Sequence, residues 1–213
     1  MGPSAKAKDL LGRLDDNARM GDIKRLAGEI KKDHDLAMEL WGTGHYPARL
    51  LAVLIMDRKL LTQELLDELD QGMRAHPERE RTQLMDWLMA NQLAKDKRTT
   101  ALMDTWAHST SPLQRRTYWY RQGRLRWMGH PPPTSNAALV AAIEERIAGE
   151  EPEVQWAMNF SAGWIGIYDT SCRSRCVAIG ERTGLFKGMP VSKGCTPDYL
   201  PEFIAIESAK RGL

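Results

Sequence analysis

Apolar residues in this 213-residue chain recur at three- and four-residue spacing in nearly every segment, and no sustained two-residue alternation is found. That period lines one stripe of an α-helix and serves no strand face, so it predicts an all-α fold. The helices are expected at Ala5–Asn17, Asp22–Lys32, His34–Trp41, Tyr46–Met56, Thr62–Met73, Arg79–Ala94, Asp96–His108, Ser111–Trp127, Ser135–Ala148, Pro152–Tyr168, Thr170–Thr183 and Pro201–Lys210. Punctuation agrees. Gly21-Asp22 and Asp169-Thr170 supply capping side chains, Pro47, Pro152 and Pro201 suit first turns, and Gly149 and Gly184 suit helix ends. Connections of two to six residues favour helical hairpins. Two stretches differ: His130-Pro131-Pro132-Pro133-Thr134 makes a rigid turn, and Phe186–Thr196, rich in Gly and Lys, is the longest loop. A dozen helices of this length fit a compact bundle or an α-solenoid, and no strict repeat near 34 or 40 residues separates the two.

The length suits one large domain or two small ones, with a core that buries most of the apolar surface. Thirty Lys+Arg against 28 Asp+Glu leave no strong global field, so any basic surface must arise from clustering. The longest apolar run, Leu50 to Met56, is far short of the roughly 20 residues of a membrane span. Three cysteines, an odd number, argue against a disulfide framework and for a reducing compartment. Together with the lack of a signal-like N-terminus, these features lead to the expectation of a soluble, cytoplasmic monomer without membrane contact. Cys172 and Cys176, four apart on a helix, with Cys195 form a conceivable zinc trio, but no His or CxxC spacing reinforces it and inert thiols are favoured.

From Thr105 to Ile143 there is no Asp or Glu, while Arg115, Arg116, Arg121, Arg124 and Arg126 fall among Trp106, Tyr118, Trp119, Tyr120 and Trp127. Guanidinium forks match phosphate oxygens and aromatic faces stack on bases, so nucleic acid is the functional reading of this stretch. Lys95, Lys97 and Arg98 widen the patch. Against it, the arginines can lie over a helical surface and pair with distant acids while the rings form core. On a helical wheel Arg115, Trp119 and Arg126 share a face, with Arg121 and Arg124 pointing elsewhere. Trp156, Phe160, Gly163, Trp164 and Ile167 form a second stripe, read as core packing.

Asp86 interrupts the apolar run Gln83-Leu84-Met85-Asp86-Trp87-Leu88-Met89, and Thr82, Asp86, Ala90 and Leu93 line one side of that helix. Small neighbours leave room for a substrate, yet from spacing alone a buried Asp bonded to a neighbouring helix is favoured. No GxGxxG, P-loop, HExxH or GxSxG is present, which leaves nucleotide-dependent, zinc-peptidase and serine-hydrolase readings without support.

Over most of its length the chain resembles the AlkD-like DNA alkylation repair proteins, in an uncharacterised branch. The resemblance rests on Leu40-Trp41 followed by an Arg-bearing helix (Pro47 to Met56), the Asp86 helix, and Trp106-x-x-Ser109 before Arg115-Arg116. Val154-Gln155-Trp156-Ala157-Met158-Asn159 leading to Ile165-Gly166-Ile167, and the ending Pro190-Val191-Ser192-Lys193-Gly194-Cys195, complete it. It implies a HEAT-like helical-hairpin superhelix spanning 1–213, with 186–213 as a C-terminal cap.

For function the resemblance implies a DNA glycosylase that excises cationic N3- or N7-alkylated purines from duplex DNA, with no metal and no cofactor. An alkylated purine is already a good leaving group, so one carboxylate suffices to stabilise the oxocarbenium charge and orient water. By position that carboxylate is Asp86, and the assisting arginine is Arg116, with Arg115 one residue away. The first of the family's two sugar-contacting tryptophans falls at Thr82 and the second at Phe160; the loss of one aromatic wall is worth on the order of 0.5–2 kcal/mol. Trp87 points about 100° from Asp86 and does not stand in for Thr82. Lys97, Arg121, Arg124 and Arg126 are expected at the DNA backbone. The alternative is a non-catalytic HEAT-like protein that recognises DNA structure, and a third reading is a solenoid whose arginines meet an acidic protein.

Overall fold

The computed structural model describes residues 2–15 and 18–213. Among the described residues there are twelve α-helices, four short 3-10 turns and no strand. Two compact units, 1–105 and 106–213, make up the chain, and each is described by itself.

The first unit holds α1 (Ala5–Arg13), α2 (Met20–Ile30), α3 (His34–Gly42), α4 (Tyr46–Ile55), α5 (Gln63–Arg74), α6 (Glu78–Asn91) and α7 (Lys97–Asp104). The sequence placed the first helix through Asn17, which lies outside the described residues; the helix itself ends at Arg13. Side-chain caps set four of the starts: Ser4, Asp33, Thr62 and Asp96 each accept a backbone N–H from the first turn. Gly21-Asp22 is a correction. The helix begins at Met20 after Arg19, which makes no side-chain cap, and Asp22 instead puts negative charge in the first turn.

Helix α4 is apolar on all sides, with Leu50, Leu51, Ala52, Val53 and Ile55 all at or below 1% exposure, because α2, α3 and α6 pack around it. Its one cation, Arg49, is also buried. The guanidinium donates from Nε to the Trp41 carbonyl (3.1 Å) and from Nη1 to the Gly72 carbonyl (2.6 Å), and lies 4.9 Å over the Trp41 ring. Nη1 also lies 2.7 Å from His76 Nε2, while His76 Nδ1 sits 2.7 Å from Glu80; these partners assign the neutral Nδ1–H tautomer. Arg49 thus satisfies carbonyls near the C-termini of α3 and α5, where positive charge complements the helix dipole.

The second unit holds α8 (Pro112–Trp127), α9 (Asn136–Arg146), α10 (Pro152–Tyr168), α11 (Thr170–Thr183) and α12 (Leu200–Arg211). Pro112, Pro152 and Pro201 occupy first turns, Asp169 caps α11, and Gly184 ends it in the left-handed region at φ +63. Helix α10 is the hub, packed on α8, α9, α11 and α12. Close approach of α8 and α10 needs Gly123: a Cβ there would lie 2.5 Å from the Phe160 ring. Cys172 and Cys176 are buried and Cys195 exposed, and burial pushes the Cys176 thiol up to about 12.

Candidate nucleic-acid interface

The four sides of α8 meet different surroundings, and that sorts its arginines. The face read as the basic one turns inward. Trp119 is 1% exposed, Arg126 6%, and Trp106 and Tyr118 are likewise core. Arg126, expected at the DNA backbone, is a correction: it donates to Asn136 Oδ1 (2.7 Å), the Thr134 carbonyl (2.9 Å) and the Gln122 carbonyl (2.8 Å), bracing the triproline turn. Arg115, expected as a substrate contact, is also redirected. Its Nε bonds Glu150 at 2.9 Å, its Nη2 pairs with Glu151 at 2.5 Å, and Nη1 donates to the Ser109 carbonyl at 2.7 Å.

Arg116, Tyr120, Arg124 and Trp127 form the other face, in i, i+4, i+8, i+11 register. Arg116 is 5% exposed, its guanidinium 5.4 Å from the Tyr120 centroid and 5.3 Å from that of Trp156 on α10. Arg124 sits 5.7 Å over Tyr120 and 5.5 Å over Trp127. Arg124 also donates from Nη1 to the Tyr120 hydroxyl at 3.3 Å and from Nη2 to Met128 Sδ at 3.7 Å, so rings and hydrogen bonds together fix the plane of its guanidinium.

The facing stripe of α10, read from sequence as core, joins this face. Trp156 stacks on Phe160 (5.5 Å, 18°), Phe160 meets Tyr120 (5.1 Å) and Trp164 (6.1 Å), and Trp164 stacks on Trp127 (5.8 Å) and Tyr168 (5.9 Å). Phe160 is half-buried within this row. At its Trp156 end stands Asp198: Asn159 donates to its carbonyl at 2.7 Å, desolvation raises its carboxyl pKa, and a bond from the Trp156 side chain works the other way. The signal available in sequence was the alternation of Arg and aromatic residues at 116, 120, 124 and 127 against 156, 160, 164 and 168, two registers that match on paired helices.

In the first unit, Asp86 on α6 is half-buried and absent from the core, which corrects the expectation of a fully buried carboxylate. Thr82, one turn earlier, bonds its hydroxyl to the Glu78 carbonyl (2.7 Å) and the Arg79 carbonyl (3.1 Å), so it offers no ring and little spare polarity. Trp87 is half-buried under Lys24 at 5.7 Å. Lys97 is exposed at the start of α7, and Arg121 is half-buried on α8.

No curated protein matches the sequence. A solved structure described as "a new family of proteins related to the HEAT-like repeat DNA glycosylases with affinity for branched DNA structures" superposes with a TM-score of 0.66. It covers 99% of this chain and 90% of that one at 20% identity. That likeness, with twelve helices and no strand among the described residues, gives the fold as HEAT-like. The family model for "DNA alkylation repair enzyme" matches residues 17–174, which include α8, α10 and the Asp86 helix, and a match over that share of the chain makes it a member of the DNA alkylation repair enzyme family.

Proposed function

We propose that the protein binds DNA through the arginine and aromatic face of the second unit and acts on branched or alkylation-damaged DNA. The observation that carries this is the row in which Arg116 and Arg124 lie on the rings of Tyr120, Trp156 and Trp127, in a stretch with no acid from Thr105 to Ile143. A half-buried arginine held over two rings, as Arg124 is, meets a phosphate backbone at little entropic cost, while the buried Arg116 fixes the Tyr120 and Trp156 rings beside it. Affinity then falls with salt, each neutralised phosphate adding about 0.9 to the log–log slope on duplex DNA. The solved relative's affinity for branched DNA supports the same class of ligand.

The finer reading is excision of cationic N3- or N7-alkylated purines, and the half-buried Asp86 favours it. A carboxylate at the edge of the core can stabilise positive charge on a deoxyribose and orient a water as the glycosidic bond breaks. The alkylated base carries its own positive charge and leaves neutral, so it needs no strong acid. Thr82, with no aromatic face, weakens the stabilisation of that sugar by on the order of 0.5–2 kcal/mol and makes slow excision the expected outcome.

One experiment separates these readings. Single-turnover release of 7-methylguanine and 3-methyladenine from methylated duplex is measured for wild type and Asp86→Asn, alongside binding of duplex and three-way junction DNA at two salt concentrations. Release that collapses in the variant while binding persists supports the glycosylase. Salt-sensitive binding without release leaves a DNA-structure binder, and absence of both overturns the DNA reading.

A further inference from the structure

The aromatic row does not end at Trp164. Its last two rings, Trp127 at the end of α8 and Tyr168 at the end of α10, stack on Trp164 at interplanar angles of 28° and 21°. Trp164 is only 5% exposed, whereas Trp127 is 44% and Tyr168 48% exposed. Two large rings are therefore held by a buried third and offered to solvent. They border an open groove of about 600 Å³ whose far wall is His130, Pro131 and Pro132. Arg126 holds that wall in place from beneath through Thr134 and Asn136.

No carboxylate lines the groove. The nearest in sequence, Asp169, is engaged by Asn136 Nδ2 at 2.8 Å and by Ser171. A cationic group is close at hand in Arg124, which covers Trp127 at 5.5 Å, while Arg211, paired with Glu207, covers Trp164 at 4.8 Å and holds that ring. Exposed flat rings beside an arginine, walled by proline and free of acid, fit a ligand that is itself flat and carried on an anionic chain. In intact duplex every base face is covered by its neighbours. Only where pairing is interrupted does a base face become available, at a branch point, a flap or a strand end.

Resting on the DNA-binding reading above, we infer that the groove between Trp127, Tyr168 and the triproline turn is a stacking platform for unpaired DNA bases. The platform lets the protein tell an opened DNA structure from continuous duplex, while the Arg116 and Arg124 face grips the backbone of both.

The test is equilibrium fluorescence anisotropy of the full chain with three probes: a flapped duplex, a continuous duplex of equal length, and an oligo-dT strand. Wild type is compared with Tyr168→Ala and Tyr168→Phe; Trp127, which carries the Arg124 guanidinium, is left in place. Base–aromatic stacking predicts about tenfold weaker binding of the flap and of oligo-dT by the alanine variant, less than about twofold change on duplex, and recovery of most of the loss by the phenylalanine variant. Because the phenylalanine variant keeps a flat ring against Trp164, its recovery separates lost stacking from lost packing. Unchanged flap affinity in the alanine variant, or equal losses on flap and duplex, overturns the platform while leaving DNA binding intact. Wild type that binds none of the three probes overturns the DNA-binding reading and the platform with it.

Discussion

Replacing Arg49 by Met tests whether the Trp41 and Arg49 pair in the first unit is a structural staple. The substitution keeps a long apolar stem and removes the guanidinium. Three hydrogen bonds vanish together: the Trp41 carbonyl loses its 3.1 Å bond, the Gly72 carbonyl its 2.6 Å bond and His76 Nε2 its 2.7 Å partner. Hydrogen bonds to a charged group contribute about 1.5–3 kcal/mol each, and the ring contact at 4.9 Å adds about 0.5–1. Against this stands relief from burying a charge, visible in the downward shift that desolvation imposes on Arg49. Both carbonyls also keep a weaker backbone partner, Gly44 N–H on Trp41 and Ala75 N–H on Gly72, which lowers the penalty further. The net expectation is a loss of about 2–3 kcal/mol. For a chain of this size that lowers Tm by about 5–10 °C. Urea unfolding followed by far-UV circular dichroism measures it, with Arg49→Lys as the companion: a point charge without the fork reaches one carbonyl and recovers about half. A loss under about 1 kcal/mol for Arg49→Met, or equal losses for Met and Lys, would refute the staple.

Gly123→Ala should destabilise by about 1 kcal/mol, since overpacking costs about 1–3 and the better helix former returns about 1. The added Cβ meets the Phe160 ring at 2.5 Å, that ring is held by Trp156 and Tyr120, and Phe160→Leu in the same chain should restore part of the loss in a urea titration. Acid stability of the second unit follows from two carboxylates held at about 2. Asp169 is lowered chiefly by Ser171 and Asn136; burial raises Glu207, but Lys210, Thr196 and Arg211 together outweigh it. Both folded values lie below the unfolded ones of about 4, so their stabilisation is complete above that range and is lost as pH falls toward about 2. Asp169→Asn and Glu207→Gln should each flatten the fall of Tm between about pH 4.5 and 2, and an acid profile identical to wild type would contradict the assignment.

The helices were legible in the sequence because their signals are local. Ser4, Asp33, Thr62, Ser111, Ser135 and Asp169 cap where they stand, and apolar spacing needs no knowledge of a partner. The helices expected to end at Ala94, His108 and Ala148 finish in tighter 3-10 turns at 93–95, 106–108 and 147–149, a distinction of hydrogen-bond register that side-chain spacing does not carry.

The candidate site was less legible, and α8 shows why. Arg115 and Arg116 are adjacent and chemically identical, so spacing leaves them as alternatives. What parts them is long-range: Glu150 and Glu151, 35 and 36 residues on, hold Arg115, while Trp156 receives the guanidinium of Arg116. The helical wheel put Arg115, Trp119 and Arg126 on one face without telling whether that face meets solvent or core. Trp119 and Arg126 are buried there, because a guanidinium lies against carbonyls and rings as readily as it reaches water. Trp164 makes the same point from α10. Its stripe is core at Trp164 and surface at Tyr168, one turn apart, because the helix runs out from under its neighbours at its C-terminal end. A period identifies which residues share a side of a helix. How far along that side cover extends is set by the partner, and here cover stops where α8 and α10 both end, leaving Trp127 and Tyr168 open beside the triproline turn.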